Sequence, residues 1–198
     1  MSIARLIISI SIYVFATAFA NAEEPNAPLG LRWGETTAEV KASGVTLVAV
    51  PDRQYGSSFA ATGLPAALAD QDGAILSFDQ DGHLWRLFIK GKGSDGDPTG
   101  YQVRRRYDEL KSLLTEKYGR PHSVEKLGSS LYSQDKYFVS GIEAGQISWF
   151  SDFETDSVYL QLGVRANLLT DFYIMIYEYK PLREGFRKAK KVEEKNSL

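Results

Sequence analysis

The segment Asp171-Phe-Tyr-Ile-Met-Ile-Tyr-Glu-Tyr179 constrains this chain most. Successive side chains of a strand point to opposite faces. Phe172, Ile174 and Ile176 therefore share one face, and Tyr173, Met175, Tyr177 and Tyr179 share the other. A chain that holds such a strand must supply a sheet and a cover for at least one side of it. The Phe/Ile face reads as the one packed beneath a helix. The tyrosine face reads as amphipathic, and tyrosine suits binding surfaces because it offers large area, few rotors and a polar tip. Runs at about 136–140, 146–151 and 157–164 have the same aromatic and β-branched make-up and read as further extended segments. In the last of them Tyr159 and Gln161 oppose Val158, Leu160 and Leu162.

The cover comes from helical spacing. Val103, Tyr107, Leu110, Leu114 and Tyr118 recur at helical intervals, with Leu113 widening the stripe. Arg104, Arg105, Asp108, Lys111 and Thr115 take the wet face, and Gly119 and Pro121 close the helix. Thr99 and Gln102 offer a capping box at its start. Thr36 and Glu39 offer another for a short helix ending at Gly44. A strand from Val45 to Val50 follows. Ala74–Phe78 and Leu84–Ile89, joined by Asp79-Gln80-Asp81-Gly82-His83, read as a hairpin. Gly91 to Pro98 reads as a flexible loop. The strand, acidic turn and strand of 73–89 resemble those of 146–162, so the chain reads as two helix-plus-strands units, 30–91 and 99–179.

The first 22 residues have another character. Arg5 precedes an apolar run from Leu6 to Phe19, and Ala20-Asn21-Ala22 has the small-x-small form that signal peptidase cleaves after. The run is shorter than the roughly 20 residues a spanning helix needs. The expectation is export to the periplasm or medium with cleavage after Ala22, leaving an α+β domain over 23–180 and a basic helix or tail over 181–198. The chain has no cysteine. That excludes disulfides, thiolate metal sites, a cysteine nucleophile and an acylated N-terminal cysteine. Residues 23–179 carry a net charge of −7 and residues 180–198 one of +4. An acidic body argues against nucleic acid as partner.

Gly30-Leu-Arg-Trp-Gly-Glu-Thr-Thr-Ala-Glu-Val-Lys-Ala-Ser-Gly44 resembles the opening of many small exported bacterial proteins of unknown role. Tyr107 to Pro121 is similar to a helix-then-YGxP element found with it. Helix-plus-sheet units of this kind also resemble the small outer-membrane-assembly lipoproteins and the β-lactamase inhibitor proteins. The resemblance implies an α+β fold and a tendency to bind proteins, and no catalytic residue comes with it. The absent lipid-carrying cysteine departs from the assembly lipoproteins.

Motifs for chemistry are sparse. His83 sits at the hairpin turn and His122 just past a helix, and neither has a partner at ligand spacing. No G-x-S-x-G elbow is present, and Ser94 reads as a loop residue. Gly91-Lys92-Gly93 lacks the rest of a phosphate-binding loop. Asp79-Gln80-Asp81-Gly82 resembles part of a calcium loop, but Phe88 stands where the bidentate glutamate belongs. The expectation is a curved antiparallel sheet with two principal helices, requiring no cofactor or metal and binding another protein of the envelope. Tyr159, Tyr173, Tyr177 and Tyr179 are its candidate anchors, with Trp33 beside a helix start. An envelope hydrolase using clustered carboxylates and a small-ligand carrier are the alternatives.

Overall fold

The computed structural model describes residues 26–51, 54–168 and 170–196. The leader and its cleavage site lie outside the described residues. In chain order the elements are α1 (Thr37–Ala42), β1 (Thr46–Ala49), β2 (Ser57–Thr62), β3 (Gln71–Phe78), β4 (Leu84–Gly91) and α2 (Tyr101–Tyr118). Then come β5 (His122–Lys126), α3 (Phe138–Glu143), β6 (Ser148–Glu154), β7 (Val158–Asn167), β8 (Thr170–Tyr179) and α4 (Lys180–Asn196). The strands form one open antiparallel sheet in the order β1-β2-β3-β4-β8-β7-β6-β5. The fold is the expected α+β, with a helix followed by four strands in each half. The halves meet where β4 pairs with β8, Phe88 opposite Ile176 and Ile89 opposite Met175. The internal likeness matched the wrong hairpins, however. Segment 73–89 holds the third and fourth strands of its half, and 146–162 covers the second and third of the other.

Registry settles which face is interior. Leu76, Leu87, Ile89, Leu160, Leu162, Val164, Tyr173, Met175 and Tyr177 form one core with Val103, Tyr107, Leu110 and Leu114 of α2. Phe138 and Val139 of α3, and Trp33 and Val40 beside and within α1, complete it. The tyrosine face of β8 is thus the covered one, and the Phe172/Ile174/Ile176 face is turned away from α2 and α3. The faces are exchanged relative to the sequence reading. The reason is that a tyrosine can be buried when its hydroxyl finds a partner. Tyr173 donates to Asp70 Oδ1 at 3.1 Å, and Tyr107 shares a 2.6 Å bond with Ser151 Oγ. Burial pushes both phenols, and that of Tyr177, well above the usual tyrosine range.

Other local readings separate in the same way. The Thr36/Glu39 capping box forms with both reciprocal bonds. The Thr99/Gln102 box does not: Gly100 holds the cap position with φ 60°, and Asp97 accepts from the Thr99 and Tyr101 amides at 3.0 and 2.8 Å. Val103, Tyr107, Leu110 and Leu114 are buried as expected, but Leu113 is 58% exposed. Residues 136–140, read as extended, form a 3-10 turn and the start of α3. Strands β2 and β5 carry short, polar sequences that announce no strand. The basic tail is helical and is pinned by Phe186, whose ring stacks on Trp85 at 4.8 Å. No described helix is long and apolar enough to cross a membrane.

Candidate functional sites

Two features of the sheet stand apart from ordinary packing. The first is the face turned away from α2 and α3. Cross-strand partners share a face, so registry assembles it from Ala60, Ile75, Phe88, Ile176, Gln161 and Asp152, running across the sheet. The parallel row holds Ser58, Ser77, Arg86, Glu178 and Tyr159. Ile75, Phe88, Phe150, Phe172 and Ile176 are each half-buried. Helix α4 crosses one end, where Arg183 reaches Glu178 at 3.2 Å and Phe186 covers Trp85. Beside it Arg86 lies 3.4 Å from Glu178, with its guanidinium 3.8 Å from the centre of the Tyr55 ring. Val50, Tyr55, Ser58, Ile75, Ser77, Arg86 and Phe88 line a groove of about 240 Å3 on this face.

The second feature is a cleft at the opposite end of β8, between the start of α2, the β4–α2 loop and Asp70. Its volume is about 400 Å3, and its walls include Asp70, Lys92, Gln102, Arg105, Arg106, Asp171 and Tyr173. The β4–α2 loop is tied to β8 by paired backbone bonds between Ser94 and Asp171, at 2.9 and 3.1 Å. The site depends on close backbone approach. A Cβ on Gly91 would overlap the Tyr173 ring, and one on Gly100 would lie 2.6 Å from Phe138 and 3.3 Å from Asp171 Oδ2.

The two carboxylates of the cleft differ sharply. Asp70 accepts Arg106 Nε at 2.7 Å, a second guanidinium nitrogen at 3.0 Å and the Tyr173 hydroxyl at 3.1 Å. Burial alone would push its pKa up; the Arg106 bonds and charge, with the Tyr173 hydroxyl, outweigh that and hold the carboxyl below its ordinary value. Asp171 is 1% exposed; no side-chain donor among the described residues reaches its carboxylate, and the backbone N–H groups of Ser94 and Asp171 only partly favour its charged form. Burial, with the nearby charge of Asp97, pushes its pKa up to about 6.

The sequence-derived candidates fall on both sides of the sheet. Trp33, Tyr173 and Tyr177 are interior, at 1%, 2% and 5% exposure, and Tyr179 stacks on Trp33 at 5.7 Å. They do not form a common outward surface. Tyr159 is the exception: it lies half-buried on the open face and donates to Asp152 at 2.9 Å. Burial and the Asp152 carboxylate raise its phenol above the usual range. The histidines are not brought together, since His83 is in the β3–β4 turn and His122 begins the edge strand β5. Among the described residues only Asp79, Asp81 and His83 bring possible metal-ligand atoms within 4.8 Å of one another. Turn geometry accounts for that cluster, because Asp79 Oδ1 accepts the backbone N–H groups of Asp81 and His83 at 3.0 and 2.9 Å.

Sequence reasoning missed Asp70, Lys92, Arg105, Arg106 and Asp171. The signal for Asp171 lay in its parity: it precedes Tyr173, Met175 and Tyr177 on the inward face, where a charge is costly. Comparison of the chain with family models, curated proteins and solved structures finds no match.

Proposed function

We propose that this chain is a non-catalytic binding protein, exported to the periplasm or cell envelope, that holds another protein against its open sheet face. The observation carrying this reading is the half-buried row Ile75, Phe88 and Ile176, with Phe150 and Phe172 nearby, on the face that α2 and α3 leave uncovered. Charged and hydrogen-bonding groups border it: Lys90, Arg165, Asp152 and Gln161. An apolar centre inside a polar rim is the usual anatomy of a protein interface. The resemblance of the helix-plus-sheet units to inhibitor proteins agrees with it. Tyr159 remains an anchor candidate on this face, whereas Phe88, Phe172 and Ile176 take the place of the inward tyrosines. The cleft favours hydrolysis less, because Asp70 is fully engaged by Arg106 and Tyr173 and the oxygens of Asp171 are shut off from solvent.

The test is capture from envelope extract by the chain without its leader, with melting measured on the same variants. Phe88→Ala and Phe172→Ala should keep the fold, and loss of an anchor should weaken capture by about 2 kcal/mol or more. Undiminished capture by the folded double variant would refute the reading.

A further inference from the structure

One cation on the open face has no acid to answer it. Arg165 lies half-buried on β7, opposite Phe172 of β8, and Phe150 of β6 stands opposite Gly163, two residues before it. Lys90, Arg104, Arg106, Lys180 and Arg183 are likewise half-buried, and each has a carboxylate oxygen within 3.3 Å. Arg165 has no ion pair among the described residues: burial pushes its pKa down, and no carboxylate lies close enough to oppose that. An arginine cannot shed its proton to escape the cost. We infer, on the reading that the open face holds another protein, that Arg165 receives a carboxylate side chain of that partner, set among apolar residues that cover Phe150 and Phe172.

The side chain is laid down on the sheet. Its Nη1 donates to the Val164 carbonyl at 2.8 Å. Gly163 gives it room, since a Cβ there would lie 3.1 Å from Nη1 and 3.5 Å from the Phe150 Cβ. A guanidinium carries five N–H donors in a fixed fork, and the Val164 carbonyl takes one. None of the Arg165 nitrogens is both buried and unbonded, so the remaining donors are open to solvent. A carboxylate matches such a fork with two parallel bonds. A side chain already held in place costs less to order when the partner arrives.

The other charges of this face are already answered. Asp152 accepts from Tyr159 and Gln161 at 2.9 Å each, Glu178 lies against Arg86 and Arg183, and Glu154 holds Lys180 at 2.7 Å. Lys90 has Asp72 at 2.6 Å, and its ammonium sits 4.9 Å from the centre of the Phe172 ring. Arg165 is therefore the charge left open beside Phe172. A partner with no acid at this point would bury the guanidinium unpaired, which is strongly unfavourable. A polyanion such as nucleic acid would meet the net charge of −7 on residues 23–179. An acidic side chain on a largely apolar protein surface avoids both costs, and arginine is prominent among the residues that dominate interfaces.

The experiment follows the arginine Nε–H signals of the protein by NMR during titration with phenylacetate, which joins a carboxylate to an apolar ring. Phenylacetamide, of the same shape without the charge, and phenylphosphonate, which stands for a phosphate, run in parallel. Phenylacetate should shift the Arg165 signal, assigned by its absence in Arg165→Lys, with an affinity at least about tenfold above that of phenylacetamide. Arg105, exposed on α2 with Glu109 at 3.6 Å, is the internal control and should respond far more weakly. Equal response to acid and amide, equal response at Arg105, tighter binding of phenylphosphonate, or no shift at about 50 mM phenylacetate would overturn the inference. In the envelope capture, folded Arg165→Gln should lose at least about tenfold in affinity, the scale of removing one partner of a desolvated charge pair. Weakened capture by Phe172→Ala beside full capture by Arg165→Gln would keep the docking face and overturn its carboxylate. Full capture by both variants would overturn the docking face as well. Should Arg165→Gln unfold for want of its Val164 bond, the wild-type titration decides without it.

Discussion

Replacing Asp171 with asparagine should make the protein more stable, although it alters an interior residue. Asparagine preserves the shape of the side chain and removes its charge. The folded carboxyl titrates near pH 6 against 3.8 for an unperturbed aspartate. At 1.36 kcal/mol per unit, the charged form costs the folded state about 3 kcal/mol before screening. Relaxation around the side chain and screening by nearby charges reduce this, so about 1–2 kcal/mol is the better expectation. The sign follows from proton binding. Between about pH 4 and 6 the folded protein holds a proton on Asp171 that the unfolded chain has released. This residue's contribution to stability therefore falls as pH rises through that window. The penalty is complete above about pH 6 and absent below about pH 4.

Urea denaturation of wild type and Asp171→Asn at several pH values provides the assay. The variant should exceed the wild type by about 1–2 kcal/mol at neutral pH, and that gap should close on acidification to about pH 4. Taking the difference between the two proteins cancels the titrating groups remote from position 171. A gap that does not change with pH, or a variant less stable than wild type at neutral pH, would refute the argument. The carboxylate would then be satisfied in solution in a way the structure does not show.

Further outcomes follow from packing. Leu110→Ala should cost about 2–5 kcal/mol in urea denaturation, whereas Leu113→Ala, three residues along the same helix and mostly exposed, should cost under about 0.5 kcal/mol. Gly91→Ala should cost about 1–3 kcal/mol, since the added methyl group must displace the Tyr173 ring. Phe186→Ala should release α4 from Trp85, and limited proteolysis should then cut first within residues 180–196 while the rest of the chain resists.

The sequence made some levels of this structure legible and hid others, for identifiable reasons. Local signals were sound where one interaction decides the outcome. The Thr36/Glu39 capping box and the buried stripe of α2 are formed as read. The acidic hairpin turn is present, with Gly82 at φ 84°. Signals failed where a distant partner decides. The tyrosine face of β8 looked amphipathic because phenols are polar, but Asp70 satisfies the Tyr173 hydroxyl from 103 residues away. Asp97 displaced the Thr99 cap because two loop residues place its carboxylate over the first amides of α2. Strand β5, His-Ser-Val-Glu-Lys, is a polar edge strand, and only its pairing with β6 makes it a strand. The cleft was invisible for the same reason, since its walls come from the β2–β3 connection, the β4–α2 loop, α2 and β8.

The two halves of the fold supply an internal control on the buried Asp171 carboxylate. In each half the segment before the helix pairs with the start of that half's fourth strand. In the first half Thr36 bridges His83, with Gly34 donating to Leu84 and Leu84 to Glu35 through the backbone, both at 2.9 Å. In the second half Ser94 bridges Asp171. Buried acids occur at both junctions, but those of the first are satisfied. Glu35 accepts the Arg32 amide and its guanidinium at 3.1 Å each, and Asp79 accepts two backbone N–H groups. The same junction can therefore be closed with every carboxylate engaged. At the second junction Asp171 is buried with no side-chain donor among the described residues, at a cost to stability that a neutral side chain would avoid. That cost is not imposed by the architecture, because the first half closes without it.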